Sequence, residues 1–195
     1  MPSGLKKPPA PMPEPDGPRH DLRRLIEVLD RRGVEYLLVG GAAATAYGAE
    51  RPTDDIDCVV RRERDNLDRL ADALRELNAR LRVGGMTDAE ARLLPVRLDA
   101  AMLDAAGMST WMTDAGPFDV LAGLEATDGR LVPYEELLER AVVFQGEDFV
   151  IRTASIDDII AAKERAGRPK DREALRELRE IRDQDRHETG GPGSN

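Results

Sequence analysis

Two aspartates two residues apart, Asp55 and Asp57 in the run Arg51-Pro52-Thr53-Asp54-Asp55-Ile56-Asp57, have the spacing to grip a divalent cation. On a strand, side chains alternate faces, so both carboxylates project the same way, roughly 6–7 Å apart along the backbone, while Ile56 turns inward. Upstream stands a glycine pair, Gly40 and Gly41, after the apolar run Tyr36-Leu37-Leu38-Val39 and before the helix-compatible Ala42–Tyr47. Glycine there leaves backbone N–H groups open to a phosphate at a helix start. Phosphates on one side and carboxylates for Mg²⁺ (or Mn²⁺) on the other describe a nucleoside triphosphate site. Thr53 shares the carboxylate face and Asp54 faces away, towards solvent. Arg51 has two options, an ion pair with Asp54 or a phosphate contact.

Transfer of a nucleotide needs an acceptor hydroxyl in line with the α-phosphate, with cations about 3.5–4 Å apart over the attacking and leaving oxygens. A third carboxylate from a neighbouring strand would complete the set. Asp119 is the candidate, because it lies between Phe118 and Val120-Leu121, where an ionised carboxylate is costly unless a cation compensates it; Asp114 and Asp99 compete. In the helix opened by Ser155, the apolar positions Ile156, Ile159 and Ile160 define a stripe whose next member is Lys163. That lysine either snorkels past the core edge or reaches a phosphate. Asp171 either starts the last helix or supports the site.

The pattern Gly40-Gly41, then Arg51-x-Thr53-x-Asp55-Ile56-Asp57, resembles the minimal nucleotidyltransferases of the polymerase-β-like superfamily, in particular the AbiEii/MenT-type toxins of bacterial toxin–antitoxin pairs. The likeness runs from about Leu22 to Arg182. It implies an α/β (α+β) fold: a polymerase-β-like core with a mixed sheet, followed by C-terminal helices. It also implies a third acid at Asp119, a triphosphate-binding lysine at Lys163, an activity-supporting acid at Asp171 and a Thr53 hydroxyl beside the nucleotide. The implied reaction adds nucleotides to the acceptor end of tRNA, blocking aminoacylation, and the implied partner is a cognate antitoxin. Alternatives are a small-molecule (antibiotic) or protein hydroxyl as acceptor, or a catalytically silent interaction module.

The elements that must position these residues can be read from periodicity. Helices are expected near Asp21–Arg32, Gly41–Tyr47, Asp65–Asn78 with Asp65 as N-cap, Tyr134–Arg140 with Pro133 in the first turn, 155–166 and 170–183. Strands are expected near Glu35–Val39 and Asp55–Arg61. Hairpins are expected at Thr110–Leu121 and at Val142–Arg152, the latter turning at 145–148, and Thr87-x-x-Glu90 reads as a capping box. This divides the chain into a Pro-rich tail at 1–18, holding seven of the thirteen prolines, a core at 19–153, a helical part of the same domain at 154–186, and a loose tail at 187–195.

With 195 residues, of which 41% are hydrophobic, the chain can fill a core, although only seven residues are aromatic. No apolar run has the length of a bilayer span and the N-terminus has no signal-peptide pattern, so a soluble cytoplasmic protein without a membrane partner is expected. The single cysteine, Cys58, reads as an inert buried thiol, and Tyr47 and Trp111 as core residues. Asp plus Glu total 38 against 29 Lys plus Arg, a net charge of −9, which is unlike a protein with a broad nucleic-acid surface. No DNA partner is expected. One segment is locally basic, with Lys163, Arg165, Arg168, Lys170, Arg172 and Arg176, and it is either a solvated helix face or the face that meets tRNA.

Overall fold

Tyr36–Val39 is buried at every position, as suits a strand covered on both faces. The structure, a computed structural model, describes residues 21–51, 53–145, 149–169 and 171–189. The Pro-rich segment 1–18, most of the turn expected at 145–148, Lys170 and residues 190–195 lie outside the described residues. Helix α1 (Leu22–Arg31) opens at Asp21, whose carboxylate accepts from the Arg24 N–H at 2.9 Å, and turns Leu25, Ile26, Val28 and Leu29 inward. Strand β1 (Tyr36–Val39) runs into α2 (Gly40–Ala46). Strand β2 (Ile56–Val60) returns antiparallel to β1, setting Val39 opposite Asp57.

Helix α3 (Arg64–Glu76) buries Leu67, Leu70, Ala71 and Leu74. Glu63, not Asp65, stands at its N-cap, and Asp65 sits in the first turn, where its charge favours the helix dipole. Next come β3 (Arg80–Leu81), α4 (Asp88–Ala91) and α5 (Ala100–Ala105). The capping box before α4 forms as expected: the Thr87 N–H donates to Glu90 Oε2 at 2.7 Å, and the Glu90 N–H to Thr87 Oγ1 at 3.3 Å.

The expected hairpin is β4 (Met108–Thr113) and β5 (Gly116–Leu121), with Thr110 opposite Asp119. A small sheet of β6 (Gly123–Glu125) and β7 (Leu131–Pro133) follows. Helix α6 (Tyr134–Leu138) has Pro133 as N-cap, one position earlier than expected, and stops short of Arg140. Strands β8 (Val142–Gln145) and β9 (Val150–Thr153) form the second hairpin, and α7 (Ile156–Ala166) and α8 (Asp171–Thr189) close the fold. The tail expected from His187 is corrected here: α8 continues through Thr189, since no glycine or proline interrupts it before Gly190.

Among the described residues, seven strands form one mixed sheet in the order β3-β4-β5-β2-β1-β9-β8. The β2–β5 and β1–β9 pairs are parallel and the rest antiparallel. Strand β2 starts at Ile56 rather than at Asp55. The Thr53 hydroxyl donates to the Asp55 carbonyl at 2.9 Å, and Pro117, next in register after the Ile56–Phe118 pair, has no N–H to extend the ladder. Cys58 is fully buried, and burial pushes its thiol up, as an inert core residue requires. Trp111 is buried with its indole N–H donating to Ser109 Oγ at 2.9 Å. The Tyr47 hydroxyl donates to the Ala154 carbonyl at 3.0 Å and its ring meets Phe144 edge-on.

One buried polar side chain ties the sheet to α3. Asn66 accepts from the Glu35 N–H at 2.8 Å and donates to the carbonyls of Glu35 and Arg61 at 3.0 and 2.8 Å, joining the start of β1 to the end of β2. Asn66→Leu strips the Glu35 N–H and the Arg61 carbonyl of their Asn66 partner beside a buried side chain, while the Glu35 carbonyl still accepts from the Arg61 N–H at 3.1 Å. A loss of about 2–4 kcal/mol in urea unfolding is expected; a change under about 0.5 kcal/mol, the size of an ordinary surface substitution, contradicts this role.

Candidate active site

Strand register brings the first two carboxylates together. Asp57 on β2 pairs with Asp119 on the parallel strand β5, and laterally paired residues of a sheet project to the same face. The row continues to Val39 on one side and Thr110 on the other. Asp55, just outside the strand, faces the same cleft, as do Gly40, Gly41 and Thr53. The cleft holds about 1320 Å³. Asp54 is exposed. Neither competitor for the third acid joins the row: Asp99 caps α5 through the Met102 N–H at 2.9 Å, and Asp114 accepts from Asn78 Nδ2 at 2.6 Å.

The glycine pair is required by what crosses above it. Gly40 has φ +63°, and a Cβ there would meet the Asp57 carboxylate, 2.8 Å from its Cγ. A Cβ on Gly41 would lie 2.6 Å from Thr53 Cβ and closer still to its hydroxyl. Absence of side chains at 40 and 41 therefore lets β2 and the loop before it pack against the start of α2.

Electrostatically the acids are under strain. Burial, then the charges of Asp119 and Asp55, push the Asp57 carboxyl up to about 7, against a smaller pull downward from Lys163 and Arg168. Burial also raises Asp119, opposed by Arg82. Asp119 Oδ1 is buried and has no hydrogen-bond partner. An all-oxygen donor set with an orphaned buried carboxylate oxygen fits a hard divalent cation such as Mg²⁺ or Mn²⁺. Among the described residues, however, no three such groups converge closely enough to enclose an ion as they stand. Asp55 turns instead to Arg82, whose Nη1 lies 2.6 Å from Asp55 Oδ1.

The far wall comes from the C-terminal helices. Ser155 caps α7, accepting from the Asp158 N–H at 3.1 Å, and the stripe of Ile159 and Ile160 buries against the core. Lys163 continues that stripe at the cleft, its Nζ 3.3 Å from Oδ1 of Asp171. Asp171 is buried as the first residue of α8. Arg51 does not pair with Asp54: it reaches Glu173 on α8 at 3.0 Å, and the Glu50 N–H donates to Glu177 at 2.7 Å. Of the basic segment, Arg165 pairs with Glu125 at 3.2 Å, while Arg168 and Arg176 line the cleft.

The family model described as "Nucleotidyl transferase AbiEii toxin, Type IV TA system" matches residues 23–183. The chain belongs to this AbiEii family. It is a nucleotidyltransferase by family, and the family is one of toxins in toxin–antitoxin systems. Among solved structures, the AbiEii chain is similar to the lincosamide antibiotic adenylyltransferase LnuA bound to lincomycin, with a TM-score of 0.51 and 13% identity over 83% of this chain and 96% of that one. It is also similar to the antibiotic-resistance factor ANT(2'')-Ia, at a TM-score of 0.49 and 16% identity over 87% of this chain and 91% of that one. No curated protein sequence matches it. Among the described residues no helix is long and apolar enough to cross a membrane.

Arg82, Glu173 and Glu177 were not singled out by sequence, and only Arg82 left a local signal: Arg80-Leu81-Arg82-Val83 alternates polar and apolar residues, as a short strand does.

The raised Asp57 carboxyl makes a prediction about stability. A folded-state value near 7 against an ordinary 3.8 means the folded form keeps a proton that the unfolded form releases, so its destabilising effect is absent below about pH 4, grows with rising pH and is complete above about pH 7. In metal-free protein, Asp57→Asn is expected to raise the melting temperature at pH 8 by several degrees, at about 2–4 °C per kcal/mol for a chain of this size. The gain should shrink steadily towards pH 4. Equal melting temperatures at pH 8 contradict the assignment.

Proposed function

We propose that this AbiEii chain is a Mg²⁺-dependent toxin that transfers nucleotides from a nucleoside triphosphate to the acceptor end of tRNA in the cytoplasm and so blocks translation, held in check by a cognate antitoxin. The observation that supports it most is the lateral pairing of Asp57 with Asp119 in a cleft faced by Lys163. In this reading Asp55, Asp57 and Asp119 hold the cation, which when bound neutralises charge on the attacking and leaving oxygens. Lys163 binds triphosphate, kept in place by Asp171. Gly40 and Gly41 let Asp57 and Thr53 pack over the start of α2 at the wall where the triphosphate binds, and Arg51 braces the same loop through Glu173. The acceptor hydroxyl oxygen bonds to the α-phosphorus, the bond from that phosphorus to the bridging oxygen breaks, pyrophosphate leaves, and the hydroxyl proton passes to water.

Arg168 and Arg176 at the cleft support a polyanionic acceptor despite the net charge of −9. A second reading, a cationic small-molecule acceptor, draws on Glu50, Glu173, Glu177 and Glu180 in the same cleft. Salt separates the two. With RNA as acceptor, affinity should fall with log–log slope of roughly −0.7 to −0.9 per phosphate contact, and Arg168→Glu with Arg176→Glu should flatten the slope. Labelling of an aminoglycoside or lincosamide, with no tRNA labelled by any of the four nucleoside triphosphates, overturns the tRNA reading.

For the site itself, Asp57→Ala and Asp119→Ala are each expected to lower transfer at least 100-fold while circular dichroism stays unchanged. Lys163→Met keeps the aliphatic stem but removes a charge-assisted phosphate contact, about 1.5–3 kcal/mol, so the KM for triphosphate should rise at least tenfold. Wild-type KM in Lys163→Met shows that the lysine only packs.

A further inference from the structure

A guanidinium already stands among the carboxylates. Arg82 follows β3 at the sheet edge, and its backbone is fixed, with its N–H donating to the Thr110 carbonyl at 2.9 Å and its carbonyl accepting from the Thr110 hydroxyl at 3.0 Å. Thr110 is the residue opposite Asp119. The Arg82 side chain thus starts beside the Thr110–Asp119–Asp57 row and extends along it to Asp55, where Nη1 donates to Oδ1 at 2.6 Å. Its charge acts on Asp55, Asp119 and Asp57 together. The pair is about one-third exposed, 37% for Arg82 and 35% for Asp55, so it is held by geometry and not locked in the core. Beyond it Val83–Thr87 is exposed, and side chains added at Gly84 or Gly85 would meet nothing within 4 Å. Arg82 is itself exposed, so its guanidinium can swing off Asp55 towards solvent.

A dication bound by these carboxylates and the guanidinium cannot both stay close, because like charges a few ångströms apart in a partly desolvated cleft repel strongly. Resting on the metal reading above, we propose that Arg82 is a positioning residue that occupies the cation's place at Asp55 in the nucleotide-free protein, yields Asp55 when a metal–triphosphate complex enters, and then pairs with the triphosphate. The exchange trades a carboxylate partner for a phosphate one, to which a guanidinium is equally suited. It makes the free protein a poor binder of metal alone and ties metal occupancy to the arrival of nucleotide. Neither partner then needs to be scarce for the site to stay empty without the other.

The test is a titration of metal-free protein with Mn²⁺ alone, free Mn²⁺ being read by electron paramagnetic resonance, on wild type, Arg82→Met, Arg82→Lys and the double variant Arg82→Met with Asp57→Asn. Arg82→Met is expected to bind Mn²⁺ at least tenfold more tightly than wild type, and Arg82→Lys, which keeps the charge, to stay within threefold of wild type. The double variant should lose the gain, placing the ion at the acids. Inorganic tripolyphosphate with saturating Mn²⁺ should bind Arg82→Met at least fivefold more weakly than wild type. Equal Mn²⁺ affinity in Arg82→Met and wild type, with the double variant binding more weakly than either, overturns the exchange and leaves the metal reading standing. Tighter Mn²⁺ binding without weaker tripolyphosphate binding overturns the triphosphate half. Binding of Mn²⁺ to none of the proteins at millimolar concentration overturns the metal reading itself.

Discussion

The structure depends on a parallel strand pair that forces two carboxylates side by side. Asp57 and Asp119 are register partners on β2 and β5, and each is partly stripped of water by the fold. Nothing local to either strand demands this; the cost is offset by the apolar residues on the same strands, since Ile56, Cys58, Val59, Val60 and Phe118 are essentially buried. Much of the surrounding arrangement follows from that constraint. Gly40 carries no Cβ because the Asp57 carboxylate needs its space, and positive charge is brought in from three directions by Arg82, Lys163 and Arg168. A site that is electrostatically unfavourable when empty is one that gains when a cation and a polyphosphate arrive together.

The C-terminal helices belong to the same construction. Lys163 on α7 and Asp171 on α8 meet over the cleft, while Arg51 and Glu50, in the loop leading to the acids, are tied to Glu173 and Glu177 on α8. Ion pairs at exposed positions contribute little stability each. Their value here is positional: they fix the distance between the α8 wall of the cleft and the loop that leads to the carboxylates, across more than a hundred residues of sequence.

Charge is distributed by place and not by total. The chain is acidic overall, yet Arg168 and Arg176 line the cleft, while Arg165 is drawn aside to Glu125. A net charge of −9 therefore weighs against a broad nucleic-acid surface without describing the local charge at the cleft.

Short-range patterns were enough to read much of this protein. The apolar run before Gly40-Gly41, the Asp-x-Asp spacing, the Thr87–Glu90 capping box and both hairpins depend on neighbours a few residues apart, so the sequence alone determined them, and with them the family. Boundaries slipped for two reasons: β2 lost Asp55 to the missing N–H of Pro117 on another strand, and α3 begins just ahead of Asp65, with Glu63 at an N-cap that no side chain satisfies. The elements that escaped notice, β3, α5 and the β6–β7 sheet, are two to six residues long and lack enough period to stand out. What only the tertiary structure decided is which charges face one another. Arg51 pairs with Glu173 and Arg82 with Asp55 across separations of 122 and 27 residues. Such pairings are set by strand register and helix docking, and a linear sequence carries no distance between residues that only a folded sheet brings together.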